Sequence, residues 1–215
     1  MSEGESVSRL LPVEITGPAG RIEGLLQEQA GVAHEKVALV CHPHPLYGGT
    51  LHNKVAHRLA STLHARGAAV LRFNFRGVGK TEGVHDRGRG ELHDSLAVLD
   101  WLRRRHPGAH VWVAGFSFGA WVASRVAAAE AAVERLLMVA PGVHTQTFEE
   151  MRTCPVPKLV IQGTADDVCK PENLEKVYPT WAEPKRLEWV EGAGHFFDRQ
   201  LAELGASIER GLEGG

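Results

Sequence analysis

HVWVAGFSFGAWVASRVAAAEA, residues 110–131, changes its period in the middle. Its first seven residues are apolar and valine-rich, as a buried strand is, whereas the last fifteen are alanine-rich and suit a helix. Between the two halves stands Gly115-Phe116-Ser117-Phe118-Gly119. A serine on so tight a strand-to-helix turn projects its hydroxyl above the sheet end, and glycines on either side let strand and helix approach without Cβ clashes. The helix that follows aims its positive end at any negative charge that develops beside the serine.

Outward from this stretch the same rhythm repeats. Apolar runs KVALVCH (36–42), AAVLRFNF (68–75), RLLMVAP (135–141), KLVIQG (158–163) and KRLEWVEG (185–192) alternate with amphipathic segments. Those segments are NKVAHRLASTLHARG (53–67), ELHDSLAVLDWLRRRH (91–106) and PENLEKVYPTW (171–181), with a last helix expected over roughly 197–211. Strands apolar on both faces, separated by helices, predict a mostly parallel sheet covered on both sides. PVEITGP and RIEGLLQEQA, within 12–30, alternate more visibly and meet at Gly17-Pro18-Ala19-Gly20, which predicts an antiparallel hairpin at the sheet edge. The glycine-rich segment 76–91 is expected to be an ordered loop near the C-terminal sheet edge, where open parallel sheets bind ligands.

The 215 residues, 43% hydrophobic and 23% charged, fit one domain spanning 1–215. A formal charge of −2 with both signs interspersed gives no field for nucleic acid or an anionic membrane. The polar, acidic start MSEGESVSRLLPVE is unlike a secretory signal, and no apolar run approaches the ~18 residues of a membrane span, so the expectation is a cytoplasmic protein. Cys41, Cys154 and Cys169 are too few and scattered for a disulfide framework and read as reduced, buried thiols.

A serine hydroxyl needs a general base, and that base needs a carboxylate to fix its tautomer. Thr164-Ala165-Asp166-Asp167 follows the strand 158–163, and Gly192-Ala193-Gly194-His195 follows the strand 185–192. Ser117, an acid and His195 thus stand at strand ends of one sheet edge. Asp166 is the favoured acid, while Asp167 is expected to cap the turn or the helix near Pro171. The loop Cys41-His42-Pro43-His44-Pro45-Leu46-Tyr47-Gly48-Gly49 should add a backbone donor for an oxyanion. Proline cannot donate, which leaves His44, Leu46 or Tyr47, with the Phe118 N–H as the second donor. His42 and His44 lack a third ligand at convincing spacing, so no metal and no cofactor are expected. Asn74 through Thr81 ends like a phosphate-binding loop, but Asn74 replaces its first glycine and no helix can start after Thr81.

With these residues in hand, the chain resembles the α/β-hydrolase superfamily, and within it a small cytosolic bacterial branch related to dienelactone-hydrolase-like proteins. The resemblance is carried by CHPHPLYGGTLHNKV (41–55), LRFNFRGVGKTEG (71–83), GFSFG (115–119), QGTADDV (162–168) and GAGHFF (192–197). The chain order Ser117, Asp166, His195 is also the order of that superfamily. It implies an α/β-hydrolase fold and a serine hydrolase, carboxylesterase-like, working through an acyl-enzyme with a Ser-His-Asp triad. Dienelactone hydrolases proper resemble the chain in fold but use cysteine where Ser117 stands, which argues against a dienelactone substrate. Only sixteen residues, 142–157, separate two strands where relatives often insert a lid, so no large cap domain and an open site are expected. Short-chain or soluble esters follow as substrates. Tyr47, Phe116, Phe118, Trp121, Phe196 and Phe197 are candidates to line an acyl pocket, although Trp121 and Phe116 fit core packing equally well. The expected partner is a small-molecule acyl substrate, bound by a monomer or homodimer. Thioesterase, short-peptide hydrolase and perhydrolase chemistry would use the same three residues. A non-catalytic interaction protein on the same scaffold is the alternative outside enzymes.

Overall fold

The computed structural model describes residues 7–213. Its eight strands are β1 (Ser8–Gly17), β2 (Gly20–Gln29), β3 (Lys36–Cys41), β4 (Ala68–Phe73), β5 (His110–Phe116), β6 (Val133–Val139), β7 (Lys158–Gly163) and β8 (Lys185–Val190). They form one sheet in the order β1-β2-β4-β3-β5-β6-β7-β8. β2 runs antiparallel to both β1 and β4, and every other pair is parallel. The hairpin turns through Pro18 and Ala19, with Gly17 opposite Gly20, as the turn residues predict.

Alternation along β3 shows how the two faces are built. Val37, Leu39 and Cys41 enter one core with Val98, Leu99 and Leu102 of α2 (Arg89–Arg105) and Val122 and Val126 of α3 (Phe118–Ala129). Ala38 and Val40 enter the other, with Val55, Leu59 and Leu63 of α1 (Lys54–Ala65) and Leu204 and Ile208 of α5 (Leu201–Glu213). Every residue of β4 and β7 is buried, whereas β1 and β8 at the edges are half-exposed. A strand buried on both faces is mostly apolar, at about 1.5–3 kcal/mol for each large side chain removed from water, and its buried polar residues, Arg72, Lys158 and Gln162, are hydrogen-bonded. The short helix α4 (Pro171–Val177) packs Leu174 onto the first core.

Two boundaries differ from expectation. The last helix starts at Leu201 rather than near 197, because Phe197 and Arg199 have φ of 51° and 62°, outside the helical region. The segment 171–181 is helical only to Val177, and a single 3₁₀ turn over Tyr178–Thr180 follows. Between β6 and β7 the chain makes one 3₁₀ turn, Glu149–Arg152, and no cap domain. Among the described residues no helix is long and apolar enough to cross a membrane.

The loop joining β4 to α2 is held by buried charge. Arg76 donates from Nε and Nη2 to the two oxygens of Asp94, both at 2.7 Å, and Asp94 is fully buried in α2. The Glu91 carboxylate accepts the N–H groups of Asp86 and Gly88, and Arg125 Nη1 donates to the Gly88 carbonyl. The Asn74–Thr81 stretch closes on itself and on β2: Thr81 Oγ1 donates to the Asn74 carbonyl, and Asn74 Nδ2 donates to Glu23. The next helix after Thr81 begins only at Arg89. Removing the buried carboxylate strands the Arg76 charge, so Asp94→Ala should lower unfolding stability by about 3–5 kcal/mol in urea titration.

Candidate active site

β5 ends at Phe116, α3 begins at Phe118, and Ser117 between them sits at φ 56°, ψ −116°. Such a backbone costs a non-glycine residue about 1–3 kcal/mol and persists only where its surroundings fix it. They do so here. Ser117 donates its N–H to the Val139 carbonyl of β6 at 2.9 Å, and its own carbonyl accepts the first bonds of α3 from Ala120 and Trp121. A Cβ on Gly115 would lie 2.1 Å from the Gly119 carbonyl oxygen, and one on Gly119 would lie 2.3 Å from that of Cys41. Backbone crosses backbone at both points, which is why neither position holds a side chain.

At the ends of β7 and β8 two loops are stitched together. The Ala165 N–H donates to the Ala193 carbonyl, Gly192 donates to Thr164 Oγ1, and a Cβ on Gly163 would stand 2.2 Å from the Ala193 oxygen. This places Asp166 and His195 side by side, 3% and 5% exposed. His195 Nδ1 lies 2.9 Å from Asp166 Oδ2, and His195 Nε2 lies 3.2 Å from Ser117 Oγ. Since Asp166 is an acceptor, the proton belongs on Nδ1, leaving Nε2 free to accept from the serine hydroxyl. Asp166 is itself held: Oδ1 accepts the N–H groups of Val168 and Cys169 at 2.9 and 2.7 Å, and Oδ2 also accepts Gln162 Nε2 at 3.1 Å. Asp167 is exposed and points elsewhere, and α4 carries no side-chain cap.

The loop after β3 treats its three candidate donors differently. The Tyr47 N–H donates to the His44 carbonyl at 3.1 Å, and the Leu46 N–H donates to His44 Nδ1 at 3.2 Å. The His44 N–H makes no hydrogen bond among the described residues, and neither does that of Phe118 at the first turn of α3. His42, fully buried, explains the orientation. Its Nδ1 donates to the Pro43 carbonyl at 2.7 Å, while Nε2 accepts the Phe75 N–H at 3.0 Å. The Pro43–His44 peptide is trans, so a carbonyl drawn toward His42 turns the His44 N–H to the opposite side. Burial pushes His42 down to about 4, keeping it neutral. With one nitrogen donating and the other accepting, His42 has no lone pair left for a metal.

The aromatic candidates divide. Phe116 and Phe197 are fully buried and belong to the core, and Phe118 and Trp121 are nearly so, with Trp121 Nε1 donating to the Thr147 carbonyl. Tyr47 and Phe196 are exposed. Sequence reasoning missed four neighbours of the site: His42, Gln162, Cys169 and His85. His85 stands 2.7 Å from the buried Glu91 carboxylate and stacks near His44 and Phe118, with ring centroids 5.0 and 5.7 Å away. Burial, and secondarily the charge of His85, hold His44 below the usual histidine range. Donor atoms of Asp166, Cys169 and His195 come within 4.8 Å of one another, the spacing of a metal trio. Burial, then the Asp166 charge, pushes the Cys169 thiol up to about 12, and the facing atoms of Asp166 and His195 are already bonded to each other.

The model of a family described as alpha/beta hydrolase domain matches residues 38–212. A solved alpha-beta serine hydrolase homologue from Coxiella burnetii is 38% identical with a TM-score of 0.89, the match covering 94% of this chain and 97% of that one. An α/β serine hydrolase without lid from Xanthomonas campestris is 35% identical with a TM-score of 0.88, covering 95% and 94%. The uncharacterized protein RP471 of Rickettsia prowazekii is 35% identical over 205 residues, 91% of this chain and 86% of that protein.

Two consequences are measurable. Gly115→Ala should destabilise the fold by more than about 2 kcal/mol in urea titration, since neither partner in its clash is a side chain that can turn away. Unfolded, His42 takes up a proton near pH 6.5, and folded only near 4. Stability attributable to His42 is therefore complete above pH 6.5 and falls as the pH drops from 6.5 toward 4, by about 3 kcal/mol in all. Unfolding titrations across that range should show a steeper decline for wild type than for His42→Gln.

Proposed function

This chain belongs to the α/β-hydrolase family, and we propose that it is a serine hydrolase that cleaves small carboxylic esters through an acyl-enzyme, with Ser117, His195 and Asp166 as its triad. The observation that carries the proposal is the continuous line from the buried Asp166 carboxylate through both ring nitrogens of His195 to Ser117 Oγ. It ends on a strained elbow, and the N–H groups of Phe118, which follows it, and of His44 make no hydrogen bond among the described residues.

In this scheme His195 Nε2 takes the hydroxyl proton as Ser117 Oγ attacks the ester carbonyl. The Phe118 N–H and the His44 N–H receive the resulting oxyanion, the latter held outward by His42. Leu46 and Tyr47 are not donors, because their N–H groups already serve the loop. His195 then returns the proton to the leaving alcohol, the acyl group stays on Ser117, and a water deprotonated at Nε2 releases the acid. Asp166 keeps Nδ1 protonated and stabilises the imidazolium, while Gln162 and two backbone N–H groups keep the carboxylate from turning. No step draws on a metal or organic cofactor. A small soluble substrate in the cytoplasm suits a site without a cap domain, an architecture shared with the hydrolase from Xanthomonas campestris described as lacking a lid.

The test is turnover of p-nitrophenyl acetate and butyrate. Ser117→Ala should lose at least about 10³-fold in kcat, and Asp166→Asn about 10³–10⁴-fold through loss of the correct imidazole tautomer. His42→Gln should cost about 10–100-fold in kcat with KM little changed, because an oxyanion contact strengthens only as charge develops. Activity surviving in Ser117→Ala at wild-type level overturns the proposal.

A further inference from the structure

Large apolar side chains left exposed are ordinary when scattered, so their placement carries the information. Among the described residues eight such side chains are exposed. Val7, Leu10 and Val32 lie on or beside the hairpin. The other five, Leu46, Tyr47, Val84, Val168 and Phe196, all sit on loops leaving the C-terminal ends of β3, β4, β7 and β8, the sheet edge that also carries Ser117.

Phe196 is bound most directly to the reacting groups. Its ring stands nearly perpendicular to the His195 imidazole, with centroids 5.0 Å apart and an interplanar angle of 82°, and lies 6.0 Å from Phe116. It is 44% exposed although it stands between His195 and Phe197, which are 5% and 0% exposed. The imidazole does not need it for support, being already held by Asp166 and covered by Phe116 at 4.9 Å. A phenyl ring that packs against Phe116 and His195 yet stays 44% exposed beside the imidazole has the character of a binding surface.

The reaction geometry says what would use it. In acyl transfer the ester's carbonyl oxygen turns toward the oxyanion donors, and the leaving oxygen turns toward His195 Nε2, which protonates it. Whatever is attached to that oxygen therefore lies beside His195, next to Phe196. We propose that Phe196 is the platform for the alcohol portion of the substrate, and that the enzyme selects esters of apolar, ring-bearing alcohols. The inference rests on the acyl-transfer reading above. Lys54, paired with Asp198, places its Nζ over the same ring, 5.9 Å from the centroid, so charge borders the apolar surface there.

The experiment compares benzyl acetate with 2-methoxyethyl acetate, which share the acyl group and have alcohols of similar acidity but differ in apolar surface. Wild type should favour the benzyl ester by about tenfold or more in kcat/KM, a ratio in the range one hydrophobic contact confers. Phe196→Ala should bring the ratio close to one, chiefly through a higher KM for the benzyl ester, and Phe196→Leu should retain part of it. An active wild type without the preference, or a Phe196→Ala variant that loses both esters in equal proportion, overturns the inference and leaves acyl transfer intact. A folded wild type that hydrolyses neither ester nor p-nitrophenyl acetate refutes acyl transfer, and the inference with it.

Discussion

The backbone at Ser117 is the constraint around which the rest of the molecule is arranged. Its φ of 56° and ψ of −116° lift the hydroxyl clear of the sheet and turn the chain directly into α3. Holding that conformation takes the Ser117 N–H bond to β6, two flanking positions without Cβ atoms, and the packing of α3 against β3, β5 and β6. Strain of this kind survives because the surrounding core overdetermines it, with the central strands buried on both faces. The same turn leaves the Phe118 N–H at the helix start without a partner among the described residues, so one local geometry supplies both a part-exposed hydroxyl and an N–H on the next residue.

Around the elbow, buried polar groups position one another instead of facing water. Four hydrogen bonds converge on the Asp166 carboxylate, and His42 fastens the end of β3 to the chain leaving β4. Burial keeps His42 neutral and the Cys169 thiol protonated. In surroundings of low polarity each of these bonds is stronger than it would be in water, and each unpaired group would be more costly. The groups of the proposed proton path are thus each held by several bonds. Its exposed apolar side chains gather around it on the loops.

Much of this was legible in the sequence. Strands buried on both faces read as apolar runs, their alternation with helices gave the parallel sheet, the turn residues Gly17 to Gly20 gave the hairpin, and the short span 142–157 left no room for a large cap. The strand-end positions of Ser117, Asp166 and His195 followed from the same pattern, since residues just after parallel strands gather at one edge. What escaped depends on contacts that sequence spacing does not encode. Phe197, Leu201, Leu204 and Ile208 keep a helical period, which hid the two left-handed residues that delay α5. Choosing among His44, Leu46 and Tyr47 required knowing where the His42 ring points. Gln162 left a faint trace, as the one polar side chain near the end of a strand that is otherwise apolar after Lys158. His85 left none, because it is brought to the site by Glu91 across a glycine-rich loop without a period.

The proposed chemistry requires Ser117 Oγ to be an activated nucleophile. Incubating the purified protein with a fluorophosphonate and measuring its intact mass, beside Ser117→Ala treated identically, addresses it without assuming any substrate. One covalent adduct is expected on wild type, mapped to the peptide containing Ser117, and none on the variant. A folded wild type that gains no mass, or an adduct that persists in Ser117→Ala, would contradict it.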